Sequence, residues 1–177
     1  MRRIGIALAF TSLAAACLMA GAPAFGQDAG KQTILVPAIS FAGQGGGEVK
    51  KIAPAKPAAD MAEGYVHFWY TPGHWLEWTF QAPAEGEYQI NLNYATKYKV
   101  QRAFRISDKP LGPAEKNAGG LIVLPPTGRW TDWKDIPARA TVRLFPGKNV
   151  LRLTCLDDCS MLLSEIKLTA DGKAPIV

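Results

Sequence analysis

Between Tyr88 and Tyr94 apolar and polar residues alternate without a break. Tyr88, Ile90, Leu92 and Tyr94 fall on one side, and Gln89, Asn91 and Asn93 on the other. A period of two puts successive side chains on opposite faces of an extended chain, so this stretch predicts a strand with one buried face. The same pattern returns in weaker form along the chain. Trp75–Gln81 places Leu76, Trp78 and Phe80 opposite Trp75, Glu77 and Thr79. Strands are also expected at Ile34–Val36, Tyr65–Tyr70, Val100–Ser107, Leu121–Leu124, Trp130–Ile136, Thr141–Phe145, Leu151–Cys155 and Met161–Leu168. In Val100–Ser107 the apolar face of Val100, Phe104 and Ile106 is interrupted by Arg102.

Turn signals separate these runs: Thr71-Pro72-Gly73-His74, Ala84-Glu85-Gly86-Glu87 and Pro146-Gly147-Lys148-Asn149. The glycine-rich Gly43–Gly47, the Pro/Ala/Lys stretch 53–59, the polar stretch 108–120 and the tail 169–177 read as loops. Nowhere after residue 26 does an apolar period of 3.6 last long enough for a helix. Many short strands with frequent turns mean an all-β chain, a sandwich or a barrel.

The N-terminus is of another kind. Arg2-Arg3 precede an apolar run from Ile4 to Ala20, and Ala22-Pro23-Ala24-Phe25-Gly26 offers small residues for cleavage. That is the pattern of a secretory signal peptide over 1–26. Leu13-Ala14-Ala15-Ala16-Cys17 departs from a lipobox, because its leucine stands one place too early. No membrane span is expected after cleavage, and the chain is expected to be secreted or periplasmic. The remaining 27–177 has the length of a single domain.

Loss of Arg2 and Arg3 takes the formal charge from +5 to +3. The other basic residues are scattered, so no nucleic-acid partner is expected. Two of the three cysteines, Cys155 and Cys159, lie beyond the signal, and in an oxidising compartment so close a pair predicts a disulfide.

Five tryptophans fall in two short stretches, Tyr65–Trp78 and Thr127–Trp133. Indole needs area to cover it and a partner for its N–H, so this crowding means either a filled core or a platform for stacking a ligand. Trp78, in phase with Leu76 and Phe80, reads as core, and so do Tyr88 and Tyr94. Glu77 shares its face with Trp75 and Thr79. It is either an exposed or ion-paired strand residue or a ligand-binding carboxylate.

Catalysis finds little support. His67 and His74 are the only histidines, and Ser40, Ser107, Ser160 and Ser164 lack a Gly-x-Ser-x-Gly setting. The His67-x6-His74 spacing lacks a third ligand, and no metal or other cofactor is expected.

From Gly64 to Leu168 the chain resembles the carbohydrate-binding modules of families 6 and 35, divergently. Gly73-His74-Trp75-Leu76-Glu77-Trp78 is similar to their Gly-Asp-Trp-aliphatic-Glu-Tyr strand. Pro83–Tyr88 resembles their Pro-x-Ala-Gly-x-Tyr turn, Pro126–Trp133 their Thr-Gly-x-Trp-x-x-Trp segment, and Phe145–Leu153 their Gly-x-Asn hairpin. The resemblance implies a galactose-binding-domain-like jelly-roll β-sandwich that binds a glycan or polysaccharide without catalysis. It puts Trp133 at the loop end of the sandwich and Trp130 in the core. With it, Trp133, Trp69, Tyr70 and Tyr65 are the candidates for stacking a sugar, and Glu77 and Asp132 the candidates for its hydroxyls.

The departures are as specific. The first strand, Val36-Pro37-Ala38-Ile39, has no acid, and Ser164 stands where the last strand would carry Asp. Calcium needs several oxygen ligands, mostly charged, so these losses argue against the family's structural calcium. Leu162 stands where the ligand-binding Asn would lie. The alternative function is therefore a structural or protein-interaction sandwich of the bacterial envelope, with another envelope or secreted protein as partner and sugar binding lost.

Overall fold

The computed structural model describes residues 32–53, 64–107 and 120–170. The signal-peptide pattern, the 54–63 and 108–119 stretches and the tail beyond 170 lie outside them. Eleven strands follow in order: β1 (Gln32–Pro37), β2 (Gly43–Gly45), β3 (Lys50–Ile52), β4 (Tyr65–His67), β5 (Trp75–Ala82), β6 (Gly86–Ala95), β7 (Val100–Ser107), β8 (Gly120–Leu124), β9 (Lys134–Leu144), β10 (Gly147–Cys155) and β11 (Leu162–Ala170). One sheet has the order β3-β4-β11-β6-β9, with β1 also paired to β11. The other runs β2-β5-β10-β7-β8. Every pairing is antiparallel. Of the sandwich and barrel left open by the alternation, this is the sandwich that the family resemblance implies.

The core lies between the sheets and is filled by the residues that alternation selects. Leu76, Trp78 and Phe80 from β5 meet Tyr88, Ile90, Leu92 and Tyr94 from β6, with Leu151 and Leu153 from β10. Trp78 is fully buried, and its Nε1 donates to the carbonyl of Ala38 at 2.9 Å, which satisfies the indole. Tyr94 hands its hydroxyl proton to the carbonyl of Pro125 at 2.8 Å, and burial pushes that phenol up to about 12.

Several elements differ from the pattern-based expectation: the 65–70 strand stops at His67, a 3-10 turn (Ala38–Ser40) follows β1, and 130–133 lies outside any strand. β2 forms inside the glycine run, and β3 forms where no strand was indicated. β9 is one strand from Lys134 to Leu144 where two were expected. β9 tolerates Pro137 because it is an edge strand, paired only with β6.

The expected Cys155–Cys159 disulfide is not formed. Both are free thiols, Cys155 buried and Cys159 half-buried. Cys155 Sγ instead donates to the carbonyl of Asp157 at 3.0 Å, and burial pushes its thiol up, away from the reactive thiolate.

Candidate glycan-binding site at the loop end

Antiparallel pairing gathers four connections at one end of the sandwich: 68–74, 96–99, 125–133 and 156–161. Backbone hydrogen bonds stitch them together. Thr127 N donates to Thr96 O at 2.9 Å, and Thr96 N returns one to Thr127 Oγ1 at 2.9 Å. Thr96 Oγ1 reaches the carbonyl of Ser160 at 2.9 Å. Gly73 N donates to Cys155 O, and Cys155 N to His74 O, both at 2.8 Å.

Arg102 is the hub beneath them. It is fully buried. Nη1 meets Asp157 Oδ1 at 2.8 Å and Gln101 O at 2.7 Å, while Nη2 donates to Trp69 O at 2.9 Å and Cys159 O at 3.1 Å. Asp157 also accepts from the Gln101 amide. One planar cation thus ties the 68–74 and 156–161 loops to β7 by donating to their carbonyls and to a carboxylate, the role its forked geometry suits. The only earlier sign of it was a cation breaking an apolar alternation.

On this base stand two aromatic pairs. Val66 points into the core, so Tyr65 and His67 project from the opposite face of β4. The Tyr65 ring lies 5.4 Å from Trp133, tilted by 60°. Both are half-buried. Trp130, three residues before Trp133, packs edge-on against Tyr98 at 5.9 Å. Trp130 is also half-buried, so it lies at this rim and not in the core as expected. Tyr98, which sequence reasoning missed, is 50% exposed. Its only sequence signal is its place between two lysines. Asp132, half-buried, lies between the two indoles in the chain, and its backbone N–H closes a turn on Arg129 O at 3.2 Å. Gly128 permits that turn: its φ is +117°, and a Cβ there would sit 3.0 Å from Asp132 Oδ2.

Phe68 extends the cluster. Its ring stacks on His67 at 3.9 Å and 12°, and Lys50 Nζ lies 5.3 Å from its centroid. Phe68 has φ +63°, a conformation that disfavours bulky side chains. Burial and the Lys50 charge lower the His67 pKa from its usual 6.5.

The remaining candidates are placed elsewhere. Trp69 is fully buried, donates Nε1 to His74 O at 3.2 Å and packs on Trp78. It offers no face to a ligand, so its expected stacking role is set aside. The physical reason is Phe68: its left-handed backbone breaks the alternation and turns Trp69 inward. Tyr70 is 46% exposed, on the 68–74 loop. Glu77 lies on the outer face of β5. It takes a two-pronged contact from Arg152, Nη2 at 2.6 Å and Nε at 3.0 Å, while Arg152 covers Trp75 at 4.0 Å. That is the ion-paired strand alternative, which leaves Glu77 outside the aromatic site. Leu162 is 6% exposed, an apolar side chain with no hydrogen bond to offer.

No protein-family model matches the chain, and no curated protein matches its sequence. Solved structures do. The C-terminal family 6 carbohydrate-binding module of a marine laminarinase from Zobellia galactanivorans superposes with a TM-score of 0.60 at 18% identity, over 78% of this chain and 100% of that one. A family 35 carbohydrate-binding module from Clostridium thermocellum gives 0.57 at 18% identity, over 77% and 97%. A carbohydrate-binding module from Cellvibrio mixtus lichenase 5A, solved with cellotriose, gives 0.56 at 20% identity, over 77% and 96%. The chain therefore has the β-sandwich fold of family 6 and family 35 modules, in a divergent sequence.

The residues do not fit the structural calcium of those modules. Ser164 Oγ donates to Asn93 Oδ1 at 2.8 Å, and the Ala38 carbonyl is taken by Trp78. Glu165, the nearest acid on β11, lies 3.5 Å from the Lys167 ammonium. Among the described residues no three His, Cys, Asp or Glu side chains come together. Nor is any described helix long and apolar enough to cross a membrane.

Proposed function

We propose that this chain is a non-catalytic glycan-binding module, whose loop-end aromatics stack a sugar ring. The observation that carries the reading is the Tyr65–Trp133 pair. Two large rings stand half-exposed at one rim of a sandwich shared with carbohydrate-binding modules. A pyranose presents a face of C–H groups that packs on an aromatic ring, and nearby polar groups select its hydroxyls. Asp132 and His67 are the polar side chains within this cluster. Tyr70 is exposed on the 68–74 loop at the same end of the sandwich. Weak, reversible affinity follows from so open a rim. The same reading places the protein outside the cytoplasm, in keeping with the signal-peptide pattern over 1–26.

Binding to a glycan array, compared with Trp133→Ala, tests this. Retention that the substitution removes supports it. If the parent protein retains no glycan, the reading fails.

One observation favours a different class. Leu162 replaces a hydrogen-bonding group with a buried aliphatic, and the Tyr65 and Trp133 rings already cover part of one another. A sandwich that has exchanged sugar binding for contact with another envelope or secreted protein would show this, and the array separates the two.

A further inference from the structure

The rim that carries the aromatics also carries five cations that have no ion pair among the described residues. Lys97 and Lys99 flank Tyr98, Arg129 precedes Trp130, and Lys134 follows Trp133, all with exposed side chains. Lys50, also exposed, lies over Phe68. Elsewhere Arg143 pairs with Glu85 at 2.6 Å, Lys167 with Asp135 at 2.8 Å and Arg152 with Glu77 at 2.6 Å, while Lys51, Arg139 and Lys148 also have no ion pair among the described residues, so what marks the rim is five such cations beside aromatic rings. Among the described residues the acids next to these cations or on the loops of this end include Glu48, Asp132, Asp135, Asp157 and Asp158, of which Asp157 is already held by Arg102 and Asp135 by Lys167.

Exposed cations gathered at one end, with solvent screening their mutual repulsion, give that end a positive potential that draws in an anionic ligand. Every one of these cations is next to an aromatic ring, in sequence or in space. We propose that the ligand of the loop-end site is an anionic polysaccharide, bearing carboxylate or sulfate groups, whose rings stack on Tyr65, Trp133 and Tyr98 while Lys97, Lys99 and Arg129 meet its charges. This rests on the glycan-binding reading and narrows it. A nucleic acid is the less favoured polyanion, because the sandwich is shared with carbohydrate-binding modules and Asp132, beside Trp133 in the chain, can accept hydrogen bonds from the hydroxyls of a pyranose.

The test uses matched pairs that differ only in charge: polygalacturonate against its methyl ester, and dextran sulfate against dextran. Poly-dT is the control polyanion. Affinities of the signal-processed chain are measured by calorimetry at low and high salt. At least one charged glycan is expected to bind more tightly than its neutral partner and to weaken with salt. The combined Lys97→Gln, Lys99→Gln, Arg129→Gln variant should weaken it by about tenfold at low salt with an unchanged melting temperature. Trp133→Ala should remove it.

If the neutral partners bind as tightly as the charged ones, or the triple variant binds unchanged, the charge assignment is overturned while glycan binding stands. Binding of poly-dT as tight as that of the charged glycans, with Trp133→Ala silent, reduces the site to bare charge and also overturns it. If none of the four glycans is bound and the array is blank as well, both readings fall.

Discussion

The Arg102 guanidinium lies 4.8 Å from the centroid of the Trp69 ring, and the same side chain donates to the Trp69 carbonyl at 2.9 Å. One buried cation therefore holds both the face and the backbone of the residue from which the 68–74 loop turns inward. The loop so held is the one that carries Phe68 and Tyr70. Removing Arg102 would strand the Asp157 carboxylate and the carbonyls of Trp69 and Cys159. Arg102→Met is expected to cost about 3–5 kcal/mol, as for other broken buried ion pairs. Arg102→Lys should recover little of it, since an ammonium cannot reproduce the fork. Urea unfolding followed by tryptophan fluorescence measures both, and a loss below about 1 kcal/mol would show that the hub is dispensable.

Trp69 and Trp133 should separate stability from binding. Trp69→Ala empties a fully buried indole site and is expected to cost about 3–5 kcal/mol. Trp133→Ala removes a half-exposed ring and should cost about 1 kcal/mol while abolishing glycan retention. Thermal unfolding beside array binding reads both. A Trp133→Ala protein that melts as low as Trp69→Ala would make Trp133 a structural residue.

How much of this was legible beforehand depends on whether the signal was local. Period-two alternation marked β5 and β6 and their buried faces, because each residue's phase follows from its neighbours. β2 and β3 carry no such pattern. Gly43 and Gly45 look like loop residues, yet a Cβ at Gly45 would lie 2.7 Å from the Trp75 indole. Those glycines make room for a ring 30 positions away. Trp69 was misplaced because one left-handed residue, Phe68, resets the phase. Arg102 was visible as an oddity, but its partners come from loops distant in sequence. The Tyr98–Trp130 pair also crosses two loops, and nothing near either residue announces it.

His74 predicts acid sensitivity. Its ring is fully buried, both its nitrogens lack a partner among the described residues, and burial and the nearby Arg102 charge lower its pKa from 6.5. In the unfolded chain the imidazole takes up its proton near the usual value. In the folded chain it does so only at lower pH. The unfolded state therefore binds more protons between the two values, and stability present above pH 6.5 is lost as pH falls through that window. His67, shifted the same way, adds to the slope. His74→Gln is expected to flatten the melting temperature against pH below 6.5 relative to the parent. An equally steep profile in the variant would assign the acid loss to other groups.

Calcium should be neutral for this protein. Ser164 is engaged with Asn93, and Glu165 is compensated by Lys167. A ligand that stabilises a fold does so by binding the native state in preference to the unfolded one. Without a donor set, added calcium has no native site to favour. Melting curves with a chelator and with millimolar calcium should agree within about 1 °C. An upward shift with calcium that saturates would reveal a site formed by other oxygens.

The two thiols give the last prediction. A chain expressed from residue 27 onward, and so without Cys17, should titrate as two free thiols in denaturant, because neither Cys155 nor Cys159 is bridged. Under native conditions they should differ. Cys155 is buried, its thiol raised by that burial and bonded to the Asp157 carbonyl, so it should react only on unfolding. Cys159 is half-buried at the surface of the loop and should react first. Cys159→Ser is expected to change stability by no more than about 0.5 kcal/mol, as for surface positions. Finding no titratable thiol in denaturant would mean that the pair oxidises in the mature protein. The loop that carries Asp157 to Arg102 would then be closed by a covalent bond as well as by an ion pair.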